Sequence, residues 1–338
     1  MRKAAIACAG SSRTMSRMPS SPGVALQVEH VTRYHYAAPV DLAQHEAFLR
    51  PIEDEFQRVE GFEMGVEPEP LHHSTGRDRY GNTRTFFTVS GAHRRLDVWA
   101  RSRVRALPRN HEARLAGTQA WEQVAARLRY AARAPYEPAC EFAVESPYVP
   151  RLPELFEFAN ESLLPGRPIG LCAVDLMHRI YRDFRYQSAS TTIDTPLSTV
   201  MQERRGVCQD FAHLMIGALR MHGLAARYVS GYLLTTPPGA TDEQADGEEA
   251  LVAAAASVGA PRFIGADASH AWVSVWCPEP EGDGFWLELD PTNDMLPATD
   301  HVRLAYGRDF GDVTPLRGVI RGGGDHALEV GVKTERVV

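Results

Sequence analysis

Three side chains that lie far apart in the sequence have the types needed for covalent catalysis: Cys208, His270 and Asp290. A cysteine thiolate is a strong nucleophile, but it needs a neighbouring base, and the base needs a group that orients it. Histidine and aspartate are common residues for those two tasks. If the three converge in the fold, the sequence predicts a thiol that attacks a carbonyl carbon.

Cys208 stands where a helix is expected to begin. The first N–H groups of a helix are unpaired and its N-terminal end is positive, and both properties favour a thiolate. The N–H of Cys208 itself is expected to point at a developing oxyanion. Taken alone, the residue would more often be a small buried apolar side chain. The helix is predicted from an apolar stripe and a glycine at its end: Phe211, Leu214, Met215, Ala218, Leu219 and Gly223.

Two predicted strands, residues 269–277 and 284–290, carry the other two side chains. If Cys277 and Asp283 flank the turn of a hairpin, His270 lies directly opposite Asp290, and both side chains point to the same face of the sheet. Asp290 would then accept a hydrogen bond from one ring nitrogen of His270. The other ring nitrogen would face Cys208.

The remaining sequence supplies the elements that position these side chains. Residues 24–110 alternate between apolar and polar side chains and predict an antiparallel, sandwich-like β domain. Residues 111–165 predict a helical connector, and residues 166–318 predict a catalytic core of helices and strands. We therefore predict an α+β protein in which the helix that bears Cys208 packs on an antiparallel sheet.

Both ends of the chain and one internal segment are expected to lie outside these units. Residues 1–23 begin with basic residues and an apolar stretch too short for an export signal, so we predict a disordered tail. Residues 319–338 are glycine-rich at their start and predict a second loose tail. Residues 237–261 are acidic and poor in aromatic residues, which favours a mobile surface excursion.

Composition excludes several classes of protein. The 338 residues carry 36 basic and 43 acidic side chains, a net charge of −7, and 44% of them are hydrophobic, which argues against a wholly disordered chain and against nucleic acid as the main partner. No apolar run reaches the roughly 20 residues of a membrane helix. The five cysteines lack C-x-x-C spacing, so neither a disulfide framework nor a metal site is predicted. A cytoplasmic location without a cofactor is expected, and the oligomeric state stays open.

Several stretches resemble the transglutaminase-like superfamily, in its bacterial branch of predicted cysteine peptidases. Residues 30–36 and 78–82 are similar to the domain that precedes the core in this branch, and the resemblance covers about residues 25–315. It implies a papain-like α+β core and acyl transfer through a thioester, with Cys208 as nucleophile, His270 as base and Asp290 as orienting group. The core stretches are RRGVCQDFAH (204–213), GLAARYVSGY (223–232), SHAW (269–272) and LDPTN (289–293).

Three further residues are predicted to contact a substrate. Gln209 resembles a polar neighbour of the nucleophile, although an exposed position in the first helical turn explains it equally well. Trp272 is expected on the same face as His270, where it would form a wall of the cleft or part of the core. Tyr232 is the third candidate.

The sequence leaves the reaction open. If water resolves the thioester, the protein is a peptidase or amidase acting on a peptide or protein substrate; if an amine does, it is a cross-linking enzyme. Hydrolysis is favoured because water at ~55 M competes well with an amine unless the site is dry. The animal cross-linking enzymes of the superfamily depend on calcium, but residues 242–249 lack the spacing of a calcium loop. A third hypothesis is an interaction module that retains the three residues as a relic.

Overall fold

The computed structural model describes residues 23–133, 135–188, 191, 193, 195–235, 263–264, 269–282 and 284–337. The predicted N-terminal tail and the acidic excursion at 237–261 lie outside the described residues. The strands are β1 Val24–Ala47, β2 Gln57–Glu67, β3 His72–Arg77, β4 Thr83–Ala106, β5 Arg185–Tyr186, β6 Arg205–Gly206, β7 Ala226–Leu233, β8 His270–Cys277, β9 Phe285–Leu289, β10 His301–Gly307, β11 Leu316–Gly322 and β12 His326–Val337. The helices are α1 Trp121–Leu128, α2 Pro153–Asn160, α3 Ile169–Asp183, α4 Leu197–Glu203, α5 Cys208–Met221 and α6 Phe310–Val313, with 3₁₀ turns at Glu112–Gly117 and Pro138–Phe142.

The N-terminal sheet is organised around the long strands β1 and β4, which pair antiparallel along most of their length. The pairing shifts register between His35 and Val40, which divides the sheet into two halves. In the first half β12 and β2 flank the central pair; in the second half β11 and β3 do. The side chains of one face meet in an apolar core: Tyr36, Val40, Ala43, Ala47, Leu49, Phe87, Val89, Leu96, Val98, Ala100 and Leu316.

The end of the chain completes this sheet, so the prediction of a loose tail at residues 319–338 is wrong. Strands β11 and β12 both pair with β1, and the core boundary at residue 318 therefore falls inside β11. Three successive glycines, Gly322 to Gly324, all have positive φ and turn the chain from β11 into β12 beside the register shift of β1. The glycines serve as a turn rather than a linker, and the alternation of Leu328, Val330 and Val332 with Glu329, Gly331 and Lys333 was the available signal of a strand.

A second, four-stranded antiparallel sheet has the order β10-β7-β8-β9. Helix α5 packs against β7 and β8, and the connector helices α1 and α2 pack into the same core. Every residue of β8 and β10 is buried, which means that both faces of this sheet are covered. The face away from α5 contacts the N-terminal domain, where Ile52 packs on Val229, Trp272 and Tyr306.

Buried hydrogen bonds join the two sheets. The side chain of Gln57 donates to the carbonyl of Arg303 and accepts from its N–H, both at 2.8 Å. Asn82 makes the same reciprocal pair with the backbone of Tyr306, at 2.7 and 2.8 Å. Because buried backbone groups need partners, these amides replace the sheet neighbour that β10 lacks on that side. The N-terminal domain is therefore part of the support of the core sheet.

Within the described residues, no helix has both the length and the apolar character required to cross a membrane.

Candidate active site

Cys208 is the first residue of α5, and the chain enters the helix in an extended conformation at Val207. The N–H of Val207 donates to Oδ2 of Asp210 at 2.8 Å, so the third helical residue caps the entry. A Cβ on Gly206 would lie 2.7 Å from the same oxygen, and only glycine leaves room for this cap. The Gly-Val-Cys sequence thus places a half-buried thiol among the unpaired N–H groups of a helix end.

His270 is the first residue of β8 and Asp290 directly follows β9. The register of this hairpin differs from the prediction, in which Cys277 and Asp283 flank the turn. Cys277 pairs with Phe285 instead, so Val273 rather than Ala271 lies opposite Leu289. The shift is two residues, which leaves every side chain on its predicted face. His270 and Asp290 consequently still meet, beyond the last pair of the ladder.

The imidazole and the carboxylate form a fully buried pair. Nε2 of His270 lies 2.9 Å from Oδ2 of Asp290, and both side chains have no exposed surface. Burial lowers the pKa of His270, but the charges of Asp290 and Cys208 and the hydrogen bonds to both groups raise it, giving a pKa of about 10. Burial raises the pKa of Asp290, but the charge and hydrogen bond of His270 bring it well below its ordinary value. The histidine is therefore held as an imidazolium against a carboxylate.

Asp290 is fixed by more than one donor. Its Oδ1 accepts the N–H groups of Thr292 and Asn293, at 2.9 and 3.2 Å, and its Oδ2 accepts the side-chain amide of Asn293 at 2.8 Å. A carboxylate held by several N–H groups keeps its charge and its orientation in a buried site. The Asp-Pro-Thr-Asn turn therefore supplies both the acid and the groups that hold it.

The second nitrogen of His270 is directed to Cys208. Since Nε2 is bonded to Asp290, Nδ1 is the nitrogen that interacts with the thiol, and this interaction contributes to the raised pKa of the imidazole. Within the described residues, Nδ1 has no hydrogen bond of standard geometry. Such loose geometry is common in active sites without substrate. The structure thus joins His270 to Asp290 by a hydrogen bond, and the charge of Cys208 acts on the same imidazole.

A second histidine reaches the same carboxylate and was missed by the sequence analysis. Nε2 of His301 lies 3.3 Å from Oδ2 of Asp290, and the side chain of His301 has no exposed surface. Burial lowers the pKa of His301, and the hydrogen bond and charge of Asp290 only partly oppose this, so the ring is neutral. A histidine and an arginine two residues apart in an otherwise apolar strand, His301 and Arg303, were the available signal.

The chain is similar to known proteins over both its N-terminal domain and its core. Residues 26–105 match the model of the bacterial transglutaminase-like N-terminal region, and residues 168–291 match the model of the transglutaminase-like superfamily. The chain belongs to the transglutaminase-like superfamily. An uncharacterized protein of Mycobacterium tuberculosis is 40% identical over 305 residues, which cover 90% of each chain, and one of Mycobacterium leprae is 32% identical over 152 residues, 45% of each chain.

One solved structure extends the likeness to the fold of nearly the whole chain. A cysteine protease candidate from Cytophaga hutchinsonii has a TM-score of 0.66 and 17% identity, and the match covers 94% of this chain and 92% of the other. At this identity the likeness concerns the fold alone. It confirms the predicted α+β class, with an N-terminal β domain before a transglutaminase-like core.

Trp272 of the transglutaminase-like core lies behind His270 and does not line a cleft. Its ring is fully buried, stacks at 6.0 Å from the imidazole, and donates its N–H to Glu288 at 2.8 Å. A Cβ on Gly231 would lie 2.2 Å from this ring, so the neighbouring strand must carry glycine there. The prediction that Trp272 contacts a substrate is not supported, because the N-terminal domain covers the face on which it lies.

Tyr232 likewise belongs to the interior of the transglutaminase-like fold. It is 1% exposed, and its hydroxyl is hydrogen-bonded to Nδ1 of His30 at 2.8 Å. Burial raises the pKa of Tyr232 and lowers that of His30 to about 4, so the pair is neutral. Tyr232 therefore joins the core to the N-terminal domain, which corrects its predicted place at the substrate.

Gln209 is the one predicted contact residue that borders open space. It lines a cavity of about 380 Å³ beside the first turns of α5, together with Asp210 and His213. His213 accepts the N–H of Phe310 at 3.1 Å, and burial lowers its pKa to about 3. His213 is thus a neutral structural acceptor. Cys208 is absent from the described residues that line the cavity, whereas Gln209, the next residue of α5, is among them.

No group of three or more His, Cys, Asp or Glu side chains in the described ranges is arranged to hold a metal ion. Residues 242–249, which lack the spacing of a calcium loop, lie outside those ranges.

Proposed function

We propose that this protein is a thiol-dependent acyl-transfer enzyme that hydrolyses amide bonds in peptide or protein substrates. The observation that carries the proposal is the buried pair of His270 and Asp290, 2.9 Å apart, whose free imidazole nitrogen faces the thiol at the head of α5. An imidazolium kept at neutral pH is a suitable counter-ion for a thiolate and a suitable acid for an amine leaving group.

In the first step the Cys208 thiolate attacks the amide carbonyl carbon. A C–S bond forms, and negative charge develops on the carbonyl oxygen, where the N–H of Cys208 stabilises it. The C–N bond then breaks while Nδ1 of His270 transfers its proton to the amine. The products of this step are a thioester and a neutral imidazole, which Asp290 keeps in place.

In the second step water attacks the thioester carbon. Nδ1 of His270 accepts a proton from the water, a C–O bond forms, and the C–S bond breaks to return the thiolate and the imidazolium. The carboxylic acid product then leaves. Water is the expected acceptor because it is present at ~55 M, which an amine can match only in a dry, shaped site.

Brief alkylation with iodoacetamide near neutral pH tests the activated thiol without knowledge of the substrate. We expect Cys208 to be modified much faster than Cys140, Cys172 and Cys277, because burial raises the pKa of those three thiols. His270→Ala should remove the preference, whereas His222→Ala, at the far end of α5, should keep it. Equal labelling of all cysteines in the wild type would contradict the proposal and favour a catalytically silent module.

The reaction is tested with a mixed library of peptides and glutaminyl amides, analysed by mass spectrometry. We expect cleavage products that are absent with Cys208→Ala. Products coupled to an added amine instead would identify a cross-linking enzyme. Turnover that persists in the pure variant would place the chemistry elsewhere in the molecule.

A further inference from the structure

The carboxylate of Asp290 contacts two imidazoles, although the proposed reaction needs it to orient only one of them, that of His270. Oδ2 lies 2.9 Å from Nε2 of His270 and 3.3 Å from Nε2 of His301, and the two rings are 6.4 Å apart. All three side chains have no exposed surface. Burying a second ionisable ring beside this pair costs free energy unless the ring is hydrogen-bonded, and Asp290 is the hydrogen-bond acceptor here.

The carboxylate determines which nitrogens carry protons. Because an ionised carboxylate only accepts hydrogen bonds, Nε2 of both His270 and His301 must donate. Nδ1 of His301 is then a buried lone pair without a partner among the described residues. Protonation of this ring would add a buried N–H with nothing to accept it, so His301 acts as a neutral donor.

We propose that His301 is a positioning residue that holds Asp290. Its Nε2–H binds part of the negative charge of the Asp290 carboxylate, so that less of this charge acts on His270 and His270 releases its proton readily to the leaving amine. This inference rests on the proposed function, because it concerns the same acyl-transfer step. Oδ2 of Asp290 already accepts the amide of Asn293, and a carboxylate with His301 as a further donor on the oxygen that faces the base binds the imidazolium less strongly, so its proton is easier to transfer.

The surroundings of His301 suit a neutral donor of fixed orientation. Its ring stands edge-on to Trp272 at 5.2 Å and to Phe263 at 6.0 Å, so rotation is restricted on two sides. The charged groups that act on it are Asp290 from the end of β9, His270 from β8 and Arg109 from the chain after β4. The positive charges of His270 and Arg109 oppose a further positive charge on His301. The ring therefore stays neutral and donates to Asp290 without forming a second ion pair with it.

A purely structural role would predict something different. If His301 only anchors the start of β10, its replacement should lower stability and leave the proton affinity of His270 unchanged. The test must therefore measure the ionisation of His270, and it should not require a known substrate. The rate of alkylation of Cys208 as a function of pH meets both needs, because a thiolate becomes more reactive again once the neighbouring imidazolium loses its proton.

We suggest measuring iodoacetamide modification of Cys208 in the full chain during short pH jumps between pH 5 and 11. In His301→Phe, which keeps a ring but removes the donor, the alkaline step should move up by about half to one pH unit. In His301→Gln, whose amide N–H can take the place of Nε2–H, the step should stay close to the wild-type value. A His301→Phe profile that superimposes on the wild type would overturn the proposal, even if the variant melts at a lower temperature.

A measurement on the wild type keeps the test valid if His301→Phe does not fold. In protein with ¹⁵N-labelled histidine, with the His301 signals assigned from His301→Gln, we expect a neutral Nε2–H tautomer that does not titrate between pH 5 and 9. An Nδ1–H tautomer or a titrating ring would contradict the inference. Failure of the proposed function looks different, because Cys208 would then show no activated alkylation in the wild type at any pH.

Discussion

Two carboxylates, one in each sheet, are each placed between a pair of arginines, and they differ greatly in exposure. Glu60 in β2 bonds to Arg103 and Arg105 on the open face of the N-terminal sheet, where its side chain is 30% exposed. Glu288 in β9 pairs with Arg109 at 2.7 Å, where both side chains are about as buried as the apolar core, at 4% and 5% exposed. The same residue types thus form a solvated ion pair in one domain and an interior one in the other.

The difference shows where the molecule accepts an energetic cost. Exposed pairs are worth little, and the strands of the N-terminal sheet gain their stability from the apolar face. The attraction within the interior pair must offset the desolvation of several charges, which it does only with good geometry and further hydrogen bonds. Glu288 makes one such bond by accepting the N–H of Trp272, and Trp272 stacks on His270. The buried pair therefore supports His270.

The most severe way to break this arrangement is to remove β12. Truncation after Gly324 exposes the edge of β1 and removes the hydrogen bonds between Thr334 and Thr235, at 2.9 and 3.0 Å, which link the N-terminal sheet to the core. We expect loss of cooperative unfolding or aggregation, measured by circular dichroism and size-exclusion chromatography. The exposed substitution Leu328→Ser in the same strand should unfold like the wild type. A truncated chain that melts normally would restore the prediction of a loose tail.

The next largest effect is expected from replacing each of the two carboxylates by its amide. Glu288→Gln keeps the shape but leaves Arg109 buried without its anion, whereas Arg303 keeps Asp54, so the free energy of unfolding should fall by about 3–5 kcal/mol. Glu60→Gln should cost less than about 1 kcal/mol. Urea denaturation of both variants measures the difference. Equal losses would mean that burial does not separate the two pairs.

The part of the site that sequence could predict depends on short-range patterns. Gly206, Cys208 and the apolar stripe mark the start of α5 because a helix end, its cap and its buried face are all local. The hairpin that carries His270 and Asp290 was predicted with a register error of two residues, and the side chains still share a face because strand alternation has a period of two.

The part that sequence could not predict depends on neighbours that are distant along the chain. His301 reaches Asp290 only because β10 lies at the edge of the core sheet beside β7, and no local pattern encodes that order. Trp272 looks like a cleft residue until Ile52, from the other domain, is seen to cover its face. The alternation of β8 indicates which residues share a face but not what covers that face.

Histidines in the two regions should respond to pH in opposite directions. Burial lowers the pKa of His45 in the N-terminal sheet to about 4, below the unfolded value near 6.5, so its contribution to stability is lost as the pH falls from about 6.5 towards 4. The pKa of His270 is raised to about 10, so its contribution is complete below pH 6.5 and is lost as the pH rises towards 10.

Each histidine should contribute a slope of about 1.4 kcal/mol per pH unit within its window, measured as the free energy of unfolding in urea. His270→Gln should flatten the alkaline side only. His45→Phe, which keeps the stacking on Phe87, should flatten part of the acid side only. If His270→Gln leaves the alkaline slope intact, the histidine is not held as an imidazolium in the folded protein.

The smallest effect concerns an ion pair near the site but on the surface. His178 in α3 contacts Asp294 at 2.5 Å, just after the turn that holds Asp290, and its side chain is 53% exposed. Because solvent and salt screen such pairs, His178→Ala should cost at most about 1 kcal/mol and should leave the alkylation rate of Cys208 unchanged. A large fall in that rate with normal stability would mean that the turn around Asp290 needs support from outside, and proximity to the site would then matter more than burial.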